Sequence, residues 1–144
     1  MNPDTLFPFA NLTAMAGWVA LLASPFIPRV SDAIASTVIP LLLAVAYAGL
    51  VLAFWAGAQG GFDTLANVGL LFQTREMLLA GWLHYLAFDL FVGAWVARTA
   101  RVEGVSFFLV VPCLALTFLF GPVGFLLFSA IRAVRLRSAS ALTA

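Results

Sequence analysis

Apolar residues fall in four long runs along this chain, at residues 6–27, 38–58, 77–96 and 105–130, with polar stretches between them. A bilayer core about 30 Å thick needs ~20 mostly apolar residues in a helix to cross it. Each run meets that length. None shows the period-two alternation of a barrel strand, and backbone groups in lipid must bond internally. The pattern predicts an all-α, integral membrane four-helix bundle, a single transmembrane domain over residues 1–144. Pro25 and Pro28 end the first run, because proline lacks an amide hydrogen and clashes with the preceding turn. Pro40 falls in the first turn of the second, where it is tolerated.

Two links read as tight polar turns, one opening Arg29-Val30-Ser31-Asp32 and one over residues 99–104. The longer link, residues 59–76, opens Gly60-Gly61-Phe62-Asp63 and continues into a moderately apolar stretch, 65–72. That stretch is either an interfacial helix or an early start to the third span. The tail from Arg132 is small, polar and expected to fray. An even number of spans puts both termini on one side. Four arginines (75, 132, 135, 137) then face three (29, 98, 101), a weak bias under the positive-inside rule. The Arg132, Arg135, Arg137 cluster tips the expectation to both termini cytoplasmic. Trp82 and Trp95, towards opposite ends of the third run, suit an aromatic belt.

Composition agrees. Hydrophobic residues make up 64% and charged residues 9%, against roughly 25% charged in a soluble domain. A net charge of +1 gives no support for a nucleic-acid partner. Cys113 is the single cysteine, so it forms no intrachain disulfide and no CxxC pair. The acidic start, Met1 to Thr5, lacks the basic region of a signal peptide. No sequence signature calls for a cofactor or a metal. The Asn11-Leu12-Thr13 triplet lies inside the first apolar run and is discounted as a glycosylation site.

The chemistry-bearing residues lie in the third run, in Trp82-Leu83-His84-Tyr85-Leu86-Ala87-Phe88-Asp89. An Asp at a helix centre costs roughly 2.5–3.5 kcal/mol to insert, so Asp89 should face protein or a water-filled cavity. At 100° per residue, His84 and Asp89 stand about 140° apart. Two stripes result: Arg75, Trp82, Tyr85 and Asp89 on one, and Met77, Gly81, His84, Phe88 and Trp95 on the other. Tyr85 and Asp89, one turn apart, can meet. Polar groups on two flanks predict a central third helix, with His84 and Asp89 both pointing into the bundle. Two roles fit them. One is helix-to-helix glue, His84 bonding a carbonyl or Thr117 and Asp89 pairing with Arg29 or Arg98. The other is catalysis.

In the fourth run, Gly121-Pro122 predicts a kink, because Pro122 removes a helical hydrogen bond. Pro112 marks a second bend. Gly121 and Gly124 allow close approach of a backbone or a flat ligand. Fourteen Phe and four Trp give aromatic surface for lipid, for packing or for a long conjugated ligand.

His84-Tyr85-Leu86-Ala87-Phe88-Asp89-Leu90-Phe91, with Phe120-Gly121-Pro122-Val123-Gly124 downstream, resembles the abscisic-acid-deficient-four-like family. Its plant members are small four-helix plastid membrane proteins needed to make the carotenoid neoxanthin. The plant branch carries Cys at the position of Gly121 and a plastid transit segment, so this chain looks like a bacterial member, placed in an inner membrane. The resemblance implies a cofactor-independent carotenoid isomerase. In that reading His84 acts as base and Asp89 as acid or orienting group, while Tyr85, Phe88, Gly121, Pro122 and Gly124 form the pocket. The alternatives are a non-catalytic pigment- or lipid-binding subunit of a larger membrane complex and, third, a small transporter. The implied partners are membrane lipids, a carotenoid or other polyene, and a complex subunit or second copy of the chain.

Overall fold

The computed structural model describes residues 2–142, with the side chains of residues 2–135. Six helices are present among the described residues. Helix α1, Pro3–Leu22, starts with the Asn2 side chain accepting from Asp4 N at 3.0 Å, and with Pro3 in its first turn, where its missing N–H costs nothing. Helix α2, Pro28–Gly57, is 30 residues long. Helix α3, Leu65–Leu71, is capped by Thr64. Helix α4, Arg75–Val102, has 28 residues. Helices α5, Phe107–Phe120, and α6, Pro122–Leu142, complete the chain. Three of these, α1, α2 and α4, are long and apolar enough to cross a membrane. The chain is a multi-pass membrane protein.

Helix α2 starts ten residues before the expected second span. Pro28, read as a stop for the first run, is the opening residue of α2, and Arg29 to Asp32 form its first turn rather than a loop. Ile34–Val38 is a π segment, with Ile39 N bonded to Ile34 O. Pro40 follows and has no N–H to offer the carbonyl of Ser36, and the wider turn is where the ladder absorbs that loss. Helix α3 is separate from α4, so the 65–72 stretch is not an early turn of the third span.

Helix α4 is central, as its two polar flanks predict. It packs against α1, α2, α5 and α6, and half of its most apolar window is buried, against 17% for α2. Glycines let neighbours approach closely, as is common between membrane helices. A Cβ on Gly17 of α1 would lie 2.4 Å from Leu90, and one on Gly93 would lie 2.8 Å from Trp18.

The fourth expected span is not one continuous helix. Gly121, with φ +48, divides it, and the chain reverses there. Gly124 lies against α5 so closely that a Cβ would stand 2.1 Å from Thr117 Oγ1 and 2.3 Å from the Cys113 carbonyl oxygen. In a continuous helix residues 113 and 124 would be about 16 Å apart along the axis. On the way down, Tyr85 of α4 meets Phe118; on the way back, Trp95 meets Phe125 and Phe128, and Arg132 meets Glu103. Helices α5 and α6 thus form a re-entrant hairpin that enters from the C-terminal end of α4, turns about half-way along it and leaves by the same end. The predicted kink is a reversal. Trp95 packs against the hairpin, with the Arg132 guanidinium 5.8 Å from its ring.

Three ion pairs among the described residues mark the ends of the bundle. Asp4 pairs with Arg75 at the start of α4, Arg101 with Asp32 at 2.5 Å near its finish, and Arg132 Nε with Glu103 at 2.7 Å beyond it. The two terminal segments of the chain therefore sit at opposite ends of α4, where an even number of spans would have put them at the same end. The tail, expected to fray, continues as helix to Leu142; Thr143 and Ala144 lie outside the described residues.

Candidate functional site

The hairpin tip meets α4 at Asp89. Counting 14 residues from Arg75, Asp89 lies about 21 Å along a helix of about 42 Å, at its midpoint. Gly121 abuts the carboxyl: a Cβ there would lie 2.8 Å from Oδ1 and 3.1 Å from Oδ2. The carboxyl is half-buried, and its Oδ2 is buried without a hydrogen-bond partner among the described residues. The pairings weighed with Arg29 or Arg98 are not made, since the ion pairs of the described residues lie at the helix ends.

Tyr85, one turn earlier on α4, lies close enough to Asp89 to interact with it electrostatically, as their spacing predicts. Its hydroxyl donates to the carbonyl of Phe118 at 3.2 Å. The reason is in the sequence. The helical partner of that carbonyl would be the N–H of residue 122, and Pro122 has none. An unpaired carbonyl at the apolar centre of the bundle is costly, and Tyr85 satisfies it. The carbonyl was not among the expected site groups; the proline four residues after Phe118 is the signal that exposes it.

Trp18 of α1 closes the other side, edge-on to Phe118 at 5.4 Å and packed on Gly93. Thr117, fully buried, bonds back to the Cys113 carbonyl at 2.8 Å. Gly124 faces these two residues, so it sets the hairpin's width rather than lining a slot beside Asp89. Pro122 acts through the N–H it lacks.

His84 stands elsewhere. Its side chain is exposed, which corrects the expectation that it points inward. The ring stacks on exposed Phe88 at 4.6 Å and faces Tyr47 of α2 at 5.8 Å. It borders an open groove of ≈ 280 Å³ with Trp55, Phe62 and Phe72. Phe88 borders a second groove of ≈ 380 Å³ with Ser36, Thr37 and Pro40, beside the π segment. Of the expected site residues, the fold brings together Asp89, Tyr85, Gly121 and Pro122, and it leaves His84 and Phe88 on the α2 flank. Among the described residues no cluster of three or more His, Cys, Asp or Glu side chains forms.

The arrangement sets the Asp89 carboxyl against the hairpin tip, with Oδ2 buried there and the Tyr85 hydroxyl one helical turn away. Comparison with curated proteins and with solved structures yields no match. A family model described as ABA DEFICIENT 4-like matches residues 5–128, from the first turn of α1 to Phe128 beyond the hairpin tip, and the chain belongs to that ABA4-like family of membrane proteins.

Proposed function

We propose that the protein is a carotenoid-modifying, isomerase-like membrane enzyme whose acid/base group is Asp89. The observation that carries this reading is the buried, unpartnered Oδ2 of Asp89 at the tip of the hairpin. A carboxyl is costly at this depth, and no described residue lies within hydrogen-bonding geometry of that oxygen, although Tyr85 is close enough to interact with the carboxyl. The family, linked to neoxanthin synthesis, supplies the substrate class. Conversion of an epoxide to an allene moves one proton and no net electrons. In its acid form Asp89 gives its proton to the epoxide oxygen as the carbon–oxygen bond breaks. The carboxylate left behind takes a proton from the neighbouring carbon of the polyene, whose electron pair forms the new double bond. Acid and base are then two states of one side chain, with Tyr85 orienting it. His84, on another flank of α4, has no part in this step.

A second reading, a non-catalytic pigment- or lipid-binding subunit, is favoured by the open apolar grooves along the α2 flank. The transporter reading gains one discontinuous element, the hairpin, but transporters of that type carry such elements in pairs. Carotenoid profiles of cells with the gene intact, deleted or carrying Asp89→Asn separate the first two. The enzyme reading expects one product lost on deletion and in the variant. An unchanged profile on deletion ends it, and purification only within a stoichiometric complex supports the subunit.

A further inference from the structure

Because the hairpin turns back half-way, the face of α4 between Arg75 and Asp89 has no α5 or α6 over its first half. A cavity of ≈ 420 Å³ lies there instead, between α1 and the first turns of α4, bordered by Phe7, Leu78, Trp82, Asp4 and Arg75. Its wall runs on towards Asp89 as a ladder of rings. Phe7 lies 5.7 Å from Trp82, and Trp82 lies 5.2 Å from Tyr85, with interplanar angles of 35° and 33°. The Trp82 indole is fixed by donating to Asn11 at 3.0 Å, so the ladder is held from both helices. At the far rim the Asp4–Arg75 pair is exposed and offers both an acceptor and a donor. The rim and Asp89 are 14 residues apart on one helix, about 21 Å. An aromatic floor with polar groups at its two ends matches a long, flat, apolar rod with a polar group at each end.

We infer that this cavity is the subsite for the non-reacting, hydroxyl-bearing end ring of a polyene whose reacting end lies at Asp89. The inference rests on the carotenoid reading above for the ligand's class. The rings of Phe7, Trp82 and Tyr85 take the conjugated chain, and Arg75 and Asp4 take the hydroxyl. Recognition by a few polar groups in a mostly apolar cleft is the usual division of labour in such sites.

The test uses the purified full chain in detergent, titrated with an epoxy-carotenoid carrying a hydroxyl on both rings and with its hydroxyl-free counterpart. Binding is read from the induced circular dichroism of the polyene. Leu78 is 57% exposed and borders the cavity, so Leu78→Trp fills the space without displacing core. It should weaken binding of the dihydroxy ligand by roughly tenfold or more. Arg75→Gln, on the exposed rim, should erase the preference for the dihydroxy ligand and leave the affinity for its counterpart unchanged. Equal binding by Leu78→Trp and the parent, or an intact preference in Arg75→Gln, overturns the subsite even if cells carry out the conversion. A deletion strain with an unchanged carotenoid profile, combined with the expected binding losses, overturns the enzyme reading and leaves the subsite standing. A parent protein that binds neither ligand overturns both.

Discussion

Substituting Gly124 by alanine distinguishes a hairpin from a kinked span by the sign of its effect. In a continuous helix, Gly→Ala at an interior position stabilises by about 1 kcal/mol through helix propensity. In the hairpin the new methyl would stand 2.3 Å from two backbone atoms, Cys113 O and Thr117 N, where ordinary contact begins at 3.4 Å. The two helices would have to part by about 1.1 Å at their closest crossing. Overpacking of this kind costs about 1–3 kcal/mol, and the upper part of that range applies because backbone cannot rotate away. Net of propensity, Gly124→Ala is destabilising by about 2 kcal/mol, some 3 kcal/mol from the continuous-helix value. For a chain of this size each kcal/mol moves the midpoint by about 2–4 °C, so thermal unfolding in detergent should fall by about 4–8 °C. A midpoint equal to or above that of the parent would refute the reversal at Gly121.

Tyr85→Phe should cost about 1 kcal/mol, because it leaves the Phe118 carbonyl unpaired beside Pro122; an unchanged unfolding midpoint would mean that the carbonyl has another donor. The Arg132 guanidinium beside Glu103 holds its carboxyl below the ordinary value of 4.5. The folded value is the depressed one, so this contribution is present above about pH 4.5 and lost as pH falls through the folded value. Arg132→Gln should therefore flatten the acid side of the stability profile, and high salt should do the same to the parent; identical acid limbs in parent and variant would remove the pair from the argument. Topology reporters fused to the two termini should read opposite sides of the membrane, and readings on one side would restore the four-span arrangement.

The parts of this fold legible in the sequence are those that depend on local pattern. Three apolar runs became α1, α2 and α4, because length and apolarity alone make a span. The Tyr85–Asp89 neighbourhood followed from helical spacing, and the centrality of α4 from its polar flanks. What failed depends on which neighbour arrives. Gly121-Pro122 licenses a kink or a reversal equally well, and the choice is made by contacts outside the run: Gly124 on Thr117, Trp95 on Phe125 and Phe128, Arg132 on Glu103. Pro28 can end one helix or begin another, and only the helical path of Arg29 to Asp32 decides. His84 carried the same positional signal as Asp89. The difference is that a hairpin covers one flank of α4, while α2 covers the other incompletely.

The reversal also recasts the charge pattern that orients the chain. Reading the fourth run as a crossing placed Arg132, Arg135 and Arg137 with Arg75, four against the three of Arg29, Arg98 and Arg101. Returning α6 to the end where Glu103 holds Arg132 moves three residues across, which leaves Arg75 alone and gathers six of the seven arginines at the other end. A bias of that size, carried on short links and helix ends, is what the positive-inside rule reads. The C-terminal end of α4 and both open ends of the hairpin should thus face the cytoplasm, and Asn2 and Asp4 the opposite side. The Asp4–Arg75 cavity then lies in the non-cytoplasmic half of the bilayer, below a hairpin that fills the cytoplasmic half. A long ligand would enter from the non-cytoplasmic leaflet and reach Asp89 only with its leading end. A C-terminal reporter that reads non-cytoplasmic would reverse that route, and one that agrees with the N-terminal reporter would dismantle the hairpin with it.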